Sequence, residues 1–192
     1  MNIFVLDKDP VKAAQYQCDK HVVKMIVESA QMLSTAHRLL DGRMTVIERV
    51  SPKTGKKRKA KVWSIEGSPL DSVLYQVAHP RHPSTLWTME CSENYLWHYR
   101  HFVALCDEYE YRYRRVHATR QKLEKILAHV PRNIARMPTR TTPFRLAMKS
   151  NPECMHPDDP VRSYREFYQT KQGRFKMKWS KRDVPDWFIK HA

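Results

Sequence analysis

The sequence predicts a mainly α-helical chain, a compact single domain over residues 1–192 with one inserted basic β-hairpin at 43–65. Three observations carry that expectation. Only four glycines occur in 192 residues, too few for the tight turns of a β-sandwich or barrel. Ala, Met, Gln and Lys, which favour helix, are plentiful. Five Trp, nine Tyr and six Phe supply a real core, which argues against disorder. The same scarcity of glycine excludes a Gly-rich phosphate loop, since neither GxGxxG nor GxxxxGK[ST] occurs.

Asn2 to Leu6 is a short apolar start, a strand or an extended arm. Asp9-Pro10 begins a helix, with Asp as N-cap and Pro at the first helical position. Helical pattern runs to about Leu40, with a possible break near Cys18, and stops at Gly42. Met44–Val50 and Lys59–Ile65 read as strands joined by a turn rich in Lys and Arg. Ser68-Pro69 opens a short helix to about Val77. His79-Pro80-Arg81-His82-Pro83 is a rigid loop, because residues before proline avoid the α region. Ser84 or Ser92 caps the next helix, which reaches about Arg115, and another covers Thr119–His129. Residues 130–157 are Pro-rich and irregular, and Asp159-Pro160 starts a last helix to about Trp179.

The net charge is +15, from 35 Lys and Arg against 20 Asp and Glu. It points to a polyanionic partner, double-stranded DNA first. The excess is concentrated in residues 43–63 (net +7), 112–150 (net +10) and 162–182 (net +7), whereas residues 1–42 are neutral. Candidate nucleic-acid contacts are Lys53, Lys56, Lys57, Arg58, Lys59 and Lys61 on the hairpin. Arg114, Arg115, Arg140, Arg145, Lys176 and Lys178 are candidates from the later blocks. No apolar run approaches the ~20 residues of a spanning helix and no signal peptide is evident, so a cytoplasmic protein with no membrane partner is expected. The four cysteines are scattered, without CxxC, and read as reduced thiols. His79, His82, Cys91, His98 and His101 match no standard zinc spacing, so neither metal nor cofactor is expected.

The first long helix carries the chemistry. Its apolar residues cover most of the circumference and leave one narrow polar line: His21, Lys24, Glu28, Gln31, Thr35 and Arg38, at steps of 3 and 4. Such a line suits the floor of a polar cleft, where burial shifts pKa values toward acid–base use. Lys24 and Glu28 also suit a plain i,i+4 ion pair. On the helix after Ser92, Tyr95, Tyr99, Phe102, Cys106, Tyr109 and Tyr113 read as core. Asn94, His98, His101 and Arg112 lie nearby as candidate substrate contacts, with Asn2 and Gln31.

Asp19-Lys20-His21 followed by Glu28 resembles the first helix of the pyrimidine-dimer DNA glycosylase (endonuclease V) family. Tyr95-Leu96-Trp97, Glu108, Arg112-Tyr113 and His117-Ala118-Thr119 are similar to its second helix and the end of that region. The DKHVVKM segment and the tail with Tyr164-Arg165 and Phe167-Tyr168 also resemble a group of bacteriophage proteins of no assigned activity. The resemblance implies a glycosylase/lyase acting on a flipped nucleotide. An N-terminal α-amine attacks C1′, and a glutamate assists ring opening and β-elimination. Carried over, Glu28 is the catalytic carboxylate and Met1 supplies the amine, with His21 and Lys24 beside them. Val27 stands where the family has Arg, and the hairpin and C-terminal extension are additional. The same scaffold also suits a transferase that hypermodifies pyrimidines in phage DNA, or a nucleic-acid-binding protein without catalysis.

Overall fold

The computed structural model describes residues 1–137 and 139–190, so Pro138, inside the expected irregular stretch, and residues 191 and 192 lie outside it. Asp9 caps α1 (Pro10–Gln15), its side chain accepting the N–H groups of Val11 and Lys12. The break near Cys18 exists. Cys18 is the N-cap of α2 (Asp19–Asp41), which ends at Gly42. Gly42 allows a close approach, since a Cβ there would lie 2.4 Å from the Arg38 carbonyl oxygen. Strands β1 (Arg43–Val50) and β2 (Lys57–Ser64) pair antiparallel, Arg43 opposite Ser64 and Val50 opposite Lys57.

Several boundaries are corrected. The helix after Ser68-Pro69 is one turn, α3 (Leu70–Val73). The long helix expected from Ser84 or Ser92 is two, α4 (Pro83–Glu90) and α5 (Ser92–Tyr113), separated at Cys91. His82 rather than a serine caps α4, its ring accepting the Ser84 N–H. α6 spans Ala118–Leu127 behind a His117 cap. The last helix, α7 (Pro160–Gln169), ends ten residues short of Trp179 and continues as a 3-10 turn, Thr170–Gly173. The described part of 130–157 is irregular apart from a 3-10 turn at Pro152–Cys154. The protein is mainly α with one inserted hairpin.

α2 lies at the centre, packed against α4, α5 and α6, while α1 packs on α5. The core gathers Val22, Met25, Ile26, Met32 and Leu33 of α2 with Trp87, Tyr95, Phe102, Tyr164 and Tyr168. The arm Asn2–Leu6 is buried, and Phe4 packs on Phe167 and Tyr168 of α7. The hairpin is different: every residue of β1 is exposed. It is anchored at its root by Arg38, which is 1% exposed and uses its guanidinium donors on the carbonyls of Trp63, Asp71, Leu74 and Tyr75 and on Asp71 Oδ1. No helix among the described residues is long and apolar enough to cross a membrane.

Candidate functional site around Glu28 and the amino terminus

The arm is pinned along its length. Asn2 donates to the Ala147 carbonyl at 3.3 Å and accepts the Phe4 N–H at 3.1 Å. Gln17 Nε2 donates to the Ile3 carbonyl at 3.4 Å, and Arg165 Nε to that of Leu6 at 2.8 Å. Phe4 adopts a positive φ of 54°, a conformation costly for a residue with a bulky side chain and one that clusters at functional sites. The arm thereby turns Met1 onto α2.

There the amine of Met1 lies 3.4 Å from Glu28 Oε2, the N–H of Asn2 donates to the same oxygen at 3.1 Å, and Lys24 Nζ lies 3.1 Å from Oε1. The Glu28 side chain is 13% exposed. Thus Met1, Asn2, Lys24 and Glu28, expected together, are together. Gln31 follows one turn on, half-buried. His82, from the cap of α4, borders this group. Burial lowers its pKa below 6.5, and the nearby amine and His79 lower it further, against Glu28. Thr85 adds a contact to the Met1 sulfur at 3.9 Å.

His21 lies one turn before Lys24 on α2. Its ring stacks on Phe4 at 4.8 Å and meets Phe175 edge-on at 5.4 Å. Nδ1 lies 2.7 Å from the Tyr168 hydroxyl, which accepts the N–H of Cys18 at 2.9 Å. Burial holds Tyr168 protonated, and the hydroxyl and Nδ1 share one hydrogen bond. Burial, then Lys24 and Lys171, push the pKa of His21 down to about 4. It is an uncharged ring at neutral pH.

The other expected substrate contacts are elsewhere. Asn94 is buried, bonded to the Trp87 carbonyl and to Thr142, and ties the irregular segment to α4 and α5. His98 is bonded to Thr88 and His101 lies 3.2 Å from Gln17, both wholly buried, and burial pushes His101 down to about 3. Arg112 is 4% exposed and spends its donors on Glu108, Asp19 and the carbonyls of Gln15 and Gln17. Asn94 and Arg112 spend their polar atoms inside the core, whereas His98 Nε2 and His101 Nδ1 are buried without a hydrogen-bond partner. All four look like site residues in sequence because a buried polar partner and a substrate contact demand the same residue types.

Lys53, Lys56, Lys57, Arg58, Lys59 and Lys61 are exposed on the hairpin. Arg114, Arg115, Lys176 and Lys178 are exposed too, and Arg145 is paired with Glu90 at 3.1 Å. Arg140 lines a groove of about 1160 Å³ with Trp97, Thr142 and Phe144. The segment with Lys176 and Lys178 runs beside the start of α2, where the Asp19 N–H donates to the Lys178 carbonyl. Sequence reasoning missed His82 at this site. Prolines around His82 marked a rigid loop, but nothing marked its nearness to Met1. Among the described residues no group of three or more His, Cys, Asp or Glu side chains is placed to hold a metal. No protein-family model, curated protein or solved structure matches the chain.

Proposed function

We propose that the protein is a DNA-processing enzyme of the glycosylase/lyase kind, with the α-amine of Met1 as nucleophile and Glu28 as its acid–base partner. The observation that carries the reading is the 3.4 Å approach of that amine to a largely buried carboxylate. The resemblance of the α2 segment to the pyrimidine-dimer glycosylases supports it, as does the charge of +15. A primary amine is nucleophilic only when neutral, and an adjacent carboxylate takes up the proton it sheds.

The amine nitrogen bonds to C1′, and the glycosidic bond breaks with its electron pair leaving on the base, which takes a proton. Opening of the C1′–O4′ bond leaves an imine, with Glu28 returning a proton to O4′. Glu28 then removes a proton from C2′, and the 3′-phosphate departs by β-elimination. The exposed hairpin holds the duplex: a two-stranded ribbon fits a major groove, and its six Lys and Arg side chains meet phosphates.

Borohydride trapping on duplexes carrying a pyrimidine dimer or an abasic site tests this. The expected product is a covalent adduct mapped by peptide mass spectrometry to Met1, and Glu28→Gln lowers its rate of formation roughly 10²–10³-fold. An adduct on Lys24 instead would move the nucleophile one turn along α2. No adduct and no strand nicking on either duplex would reduce the Met1–Glu28 pair to an anchor for the arm.

A further inference from the structure

A row of core polar side chains runs from α4 through α5 to the amino-terminal arm. Thr88 donates to the Ser84 carbonyl at 2.8 Å, and its hydroxyl lies 2.7 Å from His98 Nδ1. His101, one turn later on α5, lies 3.2 Å by its Nε2 from Gln17 Nε2. Gln17 Nε2 reaches the Ile3 carbonyl at 3.4 Å. Thr88, His98, His101 and Gln17 are all 0% exposed. The row has one break, between the two rings. His98 Nε2, His101 Nδ1 and Gln17 Oε1 are each buried with no hydrogen-bond partner, and a buried polar atom left so carries its full desolvation penalty.

The chemistry of those three atoms selects what can join them. Both rings are neutral at pH 7, since burial lowers His98 well below 6.5 and His101 to about 3. Each free ring nitrogen is then an N–H or a lone pair according to the tautomer, whereas Gln17 Oε1 only accepts. An anion would find no charge to meet and could not donate to Gln17. A metal ion would need lone pairs on both rings, and among the described residues no third His, Cys, Asp or Glu side chain is placed to complete such a group. Water both donates and accepts, so it satisfies every combination. The ring centroids are 6.5 Å apart, and two hydrogen bonds of about 2.8–3.0 Å through one oxygen cover a gap of that order. Buried waters are typically held by about three hydrogen bonds, the number these atoms offer.

We propose that one water molecule is bound between His98 and His101, with Gln17 Oε1 as its third partner. It closes a hydrogen-bonded path from Ser84 of α4 to Ile3 of the arm. The site lies in the core and stands whether or not Met1 is a nucleophile.

Water–protein cross-relaxation in the carbon-13-labelled chain tests the site. It is read at the Hε1 protons of the two rings, which are carbon-bound and do not exchange with solvent. At pH 7 both protons should show a cross-peak to water, with the sign of a molecule held longer than the tumbling time of the protein. Absence of the peak from both rings would overturn the proposal. The Thr88 hydroxyl can relay such a signal to His98, so Thr88→Val is the control: the peaks persist if water carries them, and their loss would sink the site. His98→Phe removes one side of the bridge, and the His101 peak should disappear with it. Its persistence in that variant would place the water somewhere other than between the rings.

Discussion

Two charge clusters lie along the first turns of α2, and they are built on opposite rules. In one, Arg112 and Arg182 face Glu108 and Asp19, two positive against two negative. Every donor of Arg112 is used, and Asp19 also accepts the N–H and hydroxyl of Ser180. In the other, the Met1 amine and Lys24 face Glu28, at 3.4 Å and 3.1 Å, with no second carboxylate paired to either among the described residues. The closed cluster leaves nothing for a ligand to do. The open one carries surplus positive charge in a partly desolvated setting, where an anion gains most. Burial of polar groups therefore does not identify a site; an unbalanced set of them does.

The sharpest way to break this contrast is to remove one cation from the closed cluster and, beside it, the buried Lys171, which belongs to neither. Arg112→Met leaves Glu108 and Asp19 short of a partner and the carbonyls of Gln15 and Gln17 bare. We expect a loss of about 3–5 kcal/mol in urea unfolding. Lys171→Met does the opposite. Its folded pKa of about 8 lies below the ordinary 10.5, so the charged form is disfavoured on folding, and the penalty is present below pH 8 and relieved as pH rises toward 10.5. The variant should gain up to about 2 kcal/mol at pH 7 and lose that pH dependence. A loss of stability comparable to Arg112→Met would show that Lys171 gains more from the Phe167 ring than its burial costs.

His21 gives an effect of intermediate size. Its pKa is about 4 in the folded chain against an ordinary 6.5, so between those values the unfolded state binds more protons. Stability then rises with pH, and falls as pH drops from 6.5 toward 4 by about 3 kcal/mol. His21→Asn keeps a hydrogen-bonding partner for the Tyr168 hydroxyl and removes this share of the acid sensitivity. Urea unfolding at pH 4.5 and pH 7 for both proteins measures it. An unchanged difference between the two pH values would mean that His21 is not a buried neutral ring.

Much of the fold was legible because it depends on local rules. Asp9-Pro10, Gly42 and the basic turn between two β-branched runs each fix an element by backbone chemistry alone. The narrow polar line of α2 was legible as a line but not as two different things. Its first half, Lys24 and Glu28, meets the arm, while Thr35 and Arg38 at its far end bond to the backbone of residues 63–78. Which half faces solvent depends on a loop that packs from elsewhere in the chain, and helical spacing carries no record of that. The burial of Lys171 was invisible for the same reason. That residue lies in a basic block, and only the tertiary packing of Phe167 and the arm separates it from its exposed neighbours Lys176 and Lys178.

The smallest effect sets the hairpin against both clusters, since it is charged, exposed and nearly free of partners. Arg58 lies directly opposite Arg49 in the antiparallel register, and like charges so placed oppose strand pairing by a few tenths of a kcal/mol to about 1. A chain selected for the stability of this ribbon alone would not keep that pair. Arg58→Thr, with its higher strand preference, should raise the hairpin's stability by that amount, read as slower amide exchange at Arg49 and Lys59. The same change removes one phosphate contact, so the slope of log affinity for duplex DNA against log salt should become shallower by about 1. Opposite signs in the two measurements would mean that the repulsion is retained for binding. A stabilised hairpin with an unchanged salt slope would take Arg58 off the DNA.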